Sequence, residues 1–216
     1  MDYSIVHLCL PEQIKSVKEY KQYSLKEKGS EFIAIVYSVD NDTIAQNYLS
    51  KIRKKYYDAT HHCYAYKIKT GEQKYSDDGE PNGTAGIRIL NAVEHFDLTD
   101  VLLIVVRYFG GTKLGVGPLG KAYYNASTCV LEQSEIIQKI LYEEVEIEVE
   151  FNFISHIHRA ANQLSAIINE IQFTDKVFFT CYIKPKNVDR FISELTNLTN
   201  GQISIQRKKS YKYLVK

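Results

Sequence analysis

Asp77, Asp78 and Glu80 place three carboxylates within four residues, inside the run Ser76-Asp77-Asp78-Gly79-Glu80-Pro81-Asn82-Gly83-Thr84. Carboxylates at that density can hold a divalent cation loosely or accept paired hydrogen bonds from a guanidinium. The plainer reading is a solvated Asp-Gly turn, with Thr84 capping the helix that follows. A second run, Arg107-Tyr108-Phe109-Gly110-Gly111, supplies a cation. Arg107 is the natural partner for one of the carboxylates, and that pairing would join two distant loops into one site. Tyr108 could stack on a ligand, while Gly110 and Gly111 would let a backbone approach closely.

A third stretch, Gly115-Val116-Gly117-Pro118-Leu119-Gly120-Lys121, matches both Gly-x-Gly-x-x-Gly and Gly-x-x-x-x-Gly-Lys. Neither nucleotide motif survives inspection. A dinucleotide loop leaves its strand at once, whereas Phe109 to Leu114 intervene here, and Pro118 removes a backbone N–H that would face a pyrophosphate. Ala122 stands where a phosphate loop needs a hydroxyl for magnesium. What remains is a glycine-rich loop entering a helix N-terminus, able to hold an anion with help from Lys113 and Lys121. His61-His62-Cys63 resembles a metal site, but adjacent strand residues point to opposite faces and no further His is spaced to converge. His61 and Cys63 would share a face as a nucleophile pair, without an evident oxyanion hole.

Hydrophobic patterning supplies the elements that position these loops. Glu31 to Tyr37 reads as a buried strand, followed by a helix with Asp42 as N-cap and Ile44, Tyr48, Leu49, Ile52 and Tyr56 at helical spacing. A strand from Cys63 to Ile68 and a turn at Gly71 precede the acidic loop. A helix opened by Thr84 carries Ile87, Leu90 and Val93, and Val101 to Val106 is the strongest strand, buried on both faces. Pro118 suits the first turn of a helix bearing Leu119, Ala122, Tyr123, Ala126 and Val130. The segment before Glu31 reads only as polar and Lys-rich.

The pattern resets around Gln133 to Leu141, so a first domain over residues 1–138 and a second over 139–216 are expected. Glu144 to Phe151 alternates acidic and apolar residues as a half-buried strand does. A helix capped by Ser155, strands near Ile171 to Phe173 and Lys176 to Lys184, a helix from Pro185, the turn Asn200-Gly201 and a strand with Ile203 and Ile205 complete a βαββαβ order. That order indicates a ferredoxin-like domain. Its usual strand arrangement would set Glu144, Glu146, Glu148 and Glu150 beside the strand of Arg207, Lys208, Lys209 and Lys212, giving cross-strand charge pairs or, alternatively, a basic patch for nucleic acid.

Composition narrows the classes further. The net charge is +1, with sixteen Lys/Arg against seventeen Asp/Glu in residues 1–138 and eleven against nine in the remainder, so neither half is a polycation. No apolar run approaches a membrane span, and Met1 to Leu8 lacks the basic and apolar regions of a secretory signal. Cys9, Cys63, Cys129 and Cys181 are scattered without a Cys-x-x-Cys pair, which suits free thiols in the cytoplasm.

Taken in order, the stretches Ala59-Thr60-His61, Ser76 to Pro81, Gly83-Thr84-Ala85-Gly86, Arg107 to Gly111, Lys113-Leu114-Gly115 and Ala122-Tyr123 resemble the signature of the IMPACT family in its short bacterial form, the YigZ type. The resemblance implies a two-domain α+β protein. Its first domain would be an α/β sandwich of the kind shared with a small-subunit ribosomal protein and domain IV of elongation factor G, and its second would be similar to domain V of that factor. Eukaryotic relatives carry a further N-terminal domain and regulate translation by interfering with activation of a kinase that phosphorylates an initiation factor. No enzyme activity is implied. Three departures stand out: Gly117-Pro118-Leu119 replaces a usual Gly-Gly-Leu, His62 a frequent Asn, and Asn82 a frequent Ser.

The reading that follows is a cytoplasmic, translation-associated binding protein without cofactor or bound metal. It engages RNA, the ribosome or a regulatory protein through Asp77, Asp78, Glu80, Arg107, Tyr108, Gly110, Gly111, Lys113 and Lys121. The alternative is a metal-assisted hydrolase or nucleotide-using enzyme centred on Asp77, Asp78 and Glu80, with His61 or Glu80 as base.

Overall fold

A computed structural model describes residues 10–216; Cys9 and the start of the chain read for a targeting signal lie outside the described residues. The chain forms two compact units, Met1–Gln138 and Lys139–Lys216.

The first unit is built on the strand that the sequence makes most apolar. β6 (Val101–Tyr108) lies at the centre of an antiparallel sheet, flanked by β3 (Ser30–Ser38) and β4 (His61–Lys67), with β2 (Lys21–Glu27) and β5 (Gln73–Ser76) at the edges. Alternation sends Leu102, Ile104 and Val106 to one face, where they pack with Ala45, Leu49 and Ile52 of α1 (Asp42–Lys55). Val101, Leu103 and Val105 go to the other face and meet α2 (Gly86–His95) and α3 (Val116–Glu132). Helices cover both faces of an antiparallel sheet, which is why β6 reads as a continuous apolar run. Each fully buried Leu or Ile of this strand contributes roughly 1.5–3 kcal/mol.

Several local expectations are corrected. The polar N-terminal segment holds two strands, β1 (Gln13–Val17) and β2; β2 is an exposed edge whose charged residues disguise its alternation. β5 likewise occupies what reads as turn and loop. Asn41, not Asp42, caps α1, its Oδ1 accepting the Ile44 amide at 2.9 Å. Thr84 does not cap α2: its hydroxyl donates to the Pro81 carbonyl at 2.6 Å. Ser155 lies inside α4 (Ile154–Leu164), which has no side-chain cap.

The second unit has the ferredoxin-like order. β7 (Ile136–Val149) begins in the first unit, earlier than expected, and ends before Phe151, which opens a short 3₁₀ turn. After α4 come β8 (Ile167–Phe173), β9 (Val177–Ile183), α5 (Pro185–Leu198) and β10 (Ile203–Val215). The strands lie in the order β10-β7-β9-β8, all antiparallel. Val145, Ile147 and Val149 pack against Ile157, Leu164, Phe191 and Leu195 of the helices. On the other face three of the four acidic residues are paired: Glu146 with Lys208 at 2.6 Å, Glu148 with Lys176 at 2.7 Å and Glu144 with Lys212 at 3.7 Å. Charge pairing, not a basic patch, is therefore the use of that face.

One glycine contact constrains the first unit. A Cβ at Gly110 would lie 1.9 Å from the Gly29 carbonyl carbon in the β2–β3 turn. Gly110→Ala should therefore force backbone displacement and destabilise the protein by about 3 kcal/mol, the upper end for overpacking. Thermal and urea melts check this, with Gly111→Ala reading the positive-φ cost alone, since Gly111 has φ +83 and open space around it.

Candidate functional site

The register of the sheet explains why the two loops meet. Arg107 follows Val105 on the α2/α3 face and pairs across the strands with Phe32 on one side and His61 on the other. β5 ends opposite Tyr64, so Asp77 and Asp78 emerge alongside Cys63 and His62. The acidic loop then turns back over Arg107.

Among the three carboxylates it is Glu80 that meets the guanidinium. Arg107 Nη1 donates to Glu80 Oε1 at 2.6 Å, and the two side chains are 6 % and 3 % exposed. The same Oε1 accepts from Tyr123 Oη at 2.7 Å, and Arg107 Nη2 donates to Ser30 Oγ at 3.3 Å. The guanidinium lies near the rings of Phe32 and Phe109, with centroids at 5.3 and 5.6 Å. Arg107 Nε is buried and has no partner among the described residues. His61 Nδ1 donates to the Asp78 carbonyl at 2.8 Å, a tautomer assigned from that acceptor, and turns Nε2 toward Glu80 Oε2 at 3.8 Å.

Asp77 and Asp78 hold the loop together. Asp77 Oδ1 accepts the amides of Ala85 and Gly86 at 2.9 and 2.8 Å, while Oδ2 accepts that of Gly83 at 2.9 Å. It thereby caps α2 from a distance in sequence and places a negative charge at the positive helix end. Gly86 is required there, since a Cβ would lie 2.7 Å from the Ser76 backbone. Asp78, at φ +42, accepts the His62 amide at 2.7 Å and pairs with Arg53 at 3.1 Å. A metal-assisted or nucleotide-hydrolysing centre needs these carboxylates as ligands, and both are already engaged by the protein. No group of three His, Cys, Asp or Glu side chains converges as a metal site among the described residues.

Cys63 is buried, and its Sγ lies 3.0 Å from the Asp77 carbonyl and 3.4 Å from Tyr123 Oη, not beside His61 as a base. Burial pushes its thiol well above the ordinary range, and burial likewise pushes up the Tyr123 phenol. A thiol held protonated is a poor nucleophile. Tyr108 donates to Asp58 at 2.8 Å; this hydrogen bond is the main cause of its phenol being pushed up to about 12. The Gly110 amide donates to Ser30 Oγ at 3.2 Å, fixing the turn that Gly111 continues.

An open cavity of about 410 Å³ lies against this network. Buried Glu80 and Arg107 line its inner side, Phe109, Val116 and Leu119 form apolar walls, and exposed Lys113 lies at its edge. Lys121 lines a second cavity of about 360 Å³ with Arg88 and Tyr124, and Val116 borders both. Sequence reasoning brought Glu80, Arg107 and Lys113 together. It passed over Ser30, treated Tyr123 as core, and gave no role to Arg88 or Val116. A signal existed for Tyr123: a phenol on the buried face of a helix must find a polar partner.

Two family models match this chain: the Impact N-terminal domain over residues 28–131 and a domain of unknown function (DUF1949) over residues 147–202. The IMPACT family member YvyE of Bacillus subtilis is 32% identical over 193 residues, covering 88% of this chain and 89% of the relative. The chain belongs to the IMPACT family. YigZ of Escherichia coli is 28% identical over 182 residues, covering 82% and 89%. A solved structure titled as that of a hypothetical protein superposes with a TM-score of 0.68 at 26% identity, covering 92% of this chain and 98% of its own. The family relationship and the two-domain α+β fold agree with the resemblance carried by the loops.

Two outcomes follow from the network. Arg107→Ala leaves Glu80 buried without its cation and should cost about 3–5 kcal/mol in urea unfolding, whereas Arg107→Met with Glu80→Gln should cost clearly less. Equal losses would remove the ion pair as the cause. Asp77→Ala deprives three amides of their acceptor and should cost at least about 2 kcal/mol, the upper end for a single cap; a change under about 0.5 kcal/mol, the level of an ordinary surface substitution, would contradict it.

Proposed function

We propose that this IMPACT family member is a cytoplasmic, translation-associated regulatory protein that engages RNA on or near the ribosome through the loops of its first domain. The observation that carries the reading is a cluster of exposed cations beside an exposed ring: Lys113, Lys121 and Arg88 make no ion pair among the described residues, and Phe109 is 46% exposed. Other basic residues of the first domain, such as Lys51, Lys54 and Lys55, also make no ion pair among the described residues, but they line neither cavity, while Arg53 is neutralised by Asp78 and Lys74 by Asp42 and Glu72. Unpaired Lys and Arg beside an aromatic platform suit a phosphate backbone with unstacked bases. The resemblance to domains IV and V of elongation factor G points to the same setting.

In this reading the residues divide by role. Lys113 and Lys121 contact phosphate. Arg107 and Glu80 are positioning residues that hold the Phe109 turn, Gly110 and Gly111 shape it, and Asp77 and Asp78 fix the acidic loop. Tyr108 is tied to Asp58 and borders the turn.

Cosedimentation with ribosomes and crosslinking to RNA at low salt test the proposal. The wild-type chain should associate, and Lys113→Glu with Lys121→Glu should weaken binding by at least about tenfold, with a shallower salt dependence of roughly 0.7 per lost phosphate contact. Association that survives nuclease and ignores both lysines would assign a protein partner instead. Absence of association in both assays would end the RNA and ribosome reading.

A further inference from the structure

We infer that the two cavities on either side of Val116 are consecutive base subsites for single-stranded RNA, one against Phe109 and the next against Tyr124. The inference rests on the RNA reading above and adds what the site takes from the strand: unstacked bases, not the backbone of a duplex.

The two cavities have parallel chemistry. The first joins the Phe109 ring to Lys113 and the second joins the Tyr124 ring to Lys121 and Arg88. Each offers an aromatic surface next to a cation, the combination that single-stranded nucleic acid requires from successive nucleotides. Val116, 67% exposed at the start of α3, lies between them and belongs to both linings. An exposed apolar residue in that place can wedge two neighbouring bases apart. The volumes, about 410 and 360 Å³, lie in the range of small-molecule sites.

Electrostatics agree. Glu80 is the acidic side chain lining the first cavity, and Arg107 neutralises it at 2.6 Å, so the inner wall does not repel a nucleotide. Gly115 precedes α3 at φ +87 and supplies no capping side chain, leaving the first-turn amides of Val116 and Gly117 without a local side-chain acceptor. An anion held by Lys113 or Lys121 near that helix end gains from the dipole as well. The Phe109 ring is pre-set: its amide donates to Thr60 Oγ1 at 3.1 Å, and its ring lies near the buried guanidinium. A fixed platform loses little entropy when a base settles on it. Duplex RNA keeps its bases stacked and offers shape and backbone instead, so it gains nothing from these cavities.

Fluorescence anisotropy with short labelled strands tests the inference on the full chain. The probes are a single strand, the same strand with two adjacent abasic sites at its centre, and the matching duplex. The intact strand should bind about tenfold more tightly than the abasic strand, within the range of base stacking on aromatic residues. Phe109→Ala should reduce that difference while the weaker abasic binding persists, and its melt is read alongside because the Phe109 ring also lies near the buried guanidinium. Val116→Lys, at an exposed position, should remove the wedge without adding a stacking surface.

Equal binding of intact and abasic strands, with a loss on Lys113→Glu, would overturn the base subsites and leave the RNA reading standing. If no RNA binds, the RNA reading falls, and titration with adenosine and uridine monophosphates followed by the NMR signals of Phe109 and Tyr124 decides the subsites separately. Shifts at both rings would support them as nucleotide sites. Unmoved signals at millimolar nucleotide would overturn them.

Discussion

The buried Arg107–Glu80 ion pair is the constraint on which the first domain's loops depend. Arg107 is carried on the central strand of a sheet, beside Val105 and Phe32 and across from His61, and its side chain is buried, so its charge has to be answered within the protein. Glu80 answers it from a loop that reaches the site by way of an edge hairpin. A buried pair of this kind adds little net stability over an apolar replacement, yet breaking one half is costly. Its effect is to specify geometry: the acidic loop cannot leave without stranding a cation, and Ser30, Tyr123 and His61 are arranged around the same two side chains.

The acidic loop illustrates how residue type and role can diverge. Its density of carboxylates suggests a site for cations, but each carboxylate satisfies a different internal debt of the fold. Asp77 supplies acceptors to the amides at the start of α2, Asp78 bonds the backbone at His62, and Glu80 neutralises Arg107. What faces solvent nearby is instead cationic and aromatic. The second domain makes the complementary point, because its Glu row and its Lys-rich strand largely cancel across the sheet.

Much of this was legible from the chain. β6, α1, α3 and the βαββαβ order follow from periodicity because burial dominates those segments. The contact between Arg107 and the acidic loop was legible as chemistry, although choosing Glu80 over Asp77 or Asp78 needed the register between β4, β5 and β6. The missed elements share a physical cause. β2 and β5 are edge strands with exposed, charged or polar residues, each held by a hairpin to the strand next to it, so no apolar alternation marks them in the chain. The cap of α2 was missed for a different reason: its acceptor lies eight and nine residues before the amides it serves, outside the usual capping window. The cavities beside Val116 have no linear signature at all.

The meeting of Gly29 with Gly110 has a practical bearing. Lys28-Gly29 has the form of an ordinary exposed hairpin tip, the sort of place chosen for an epitope, a fluorophore or a circular permutation. Here that tip is the back wall of the Phe109 turn, with Ser30 reaching both the Gly110 amide and the Arg107 guanidinium. A probe attached there would sit behind the loop it was meant to observe, and an insertion would open the turn from the rear.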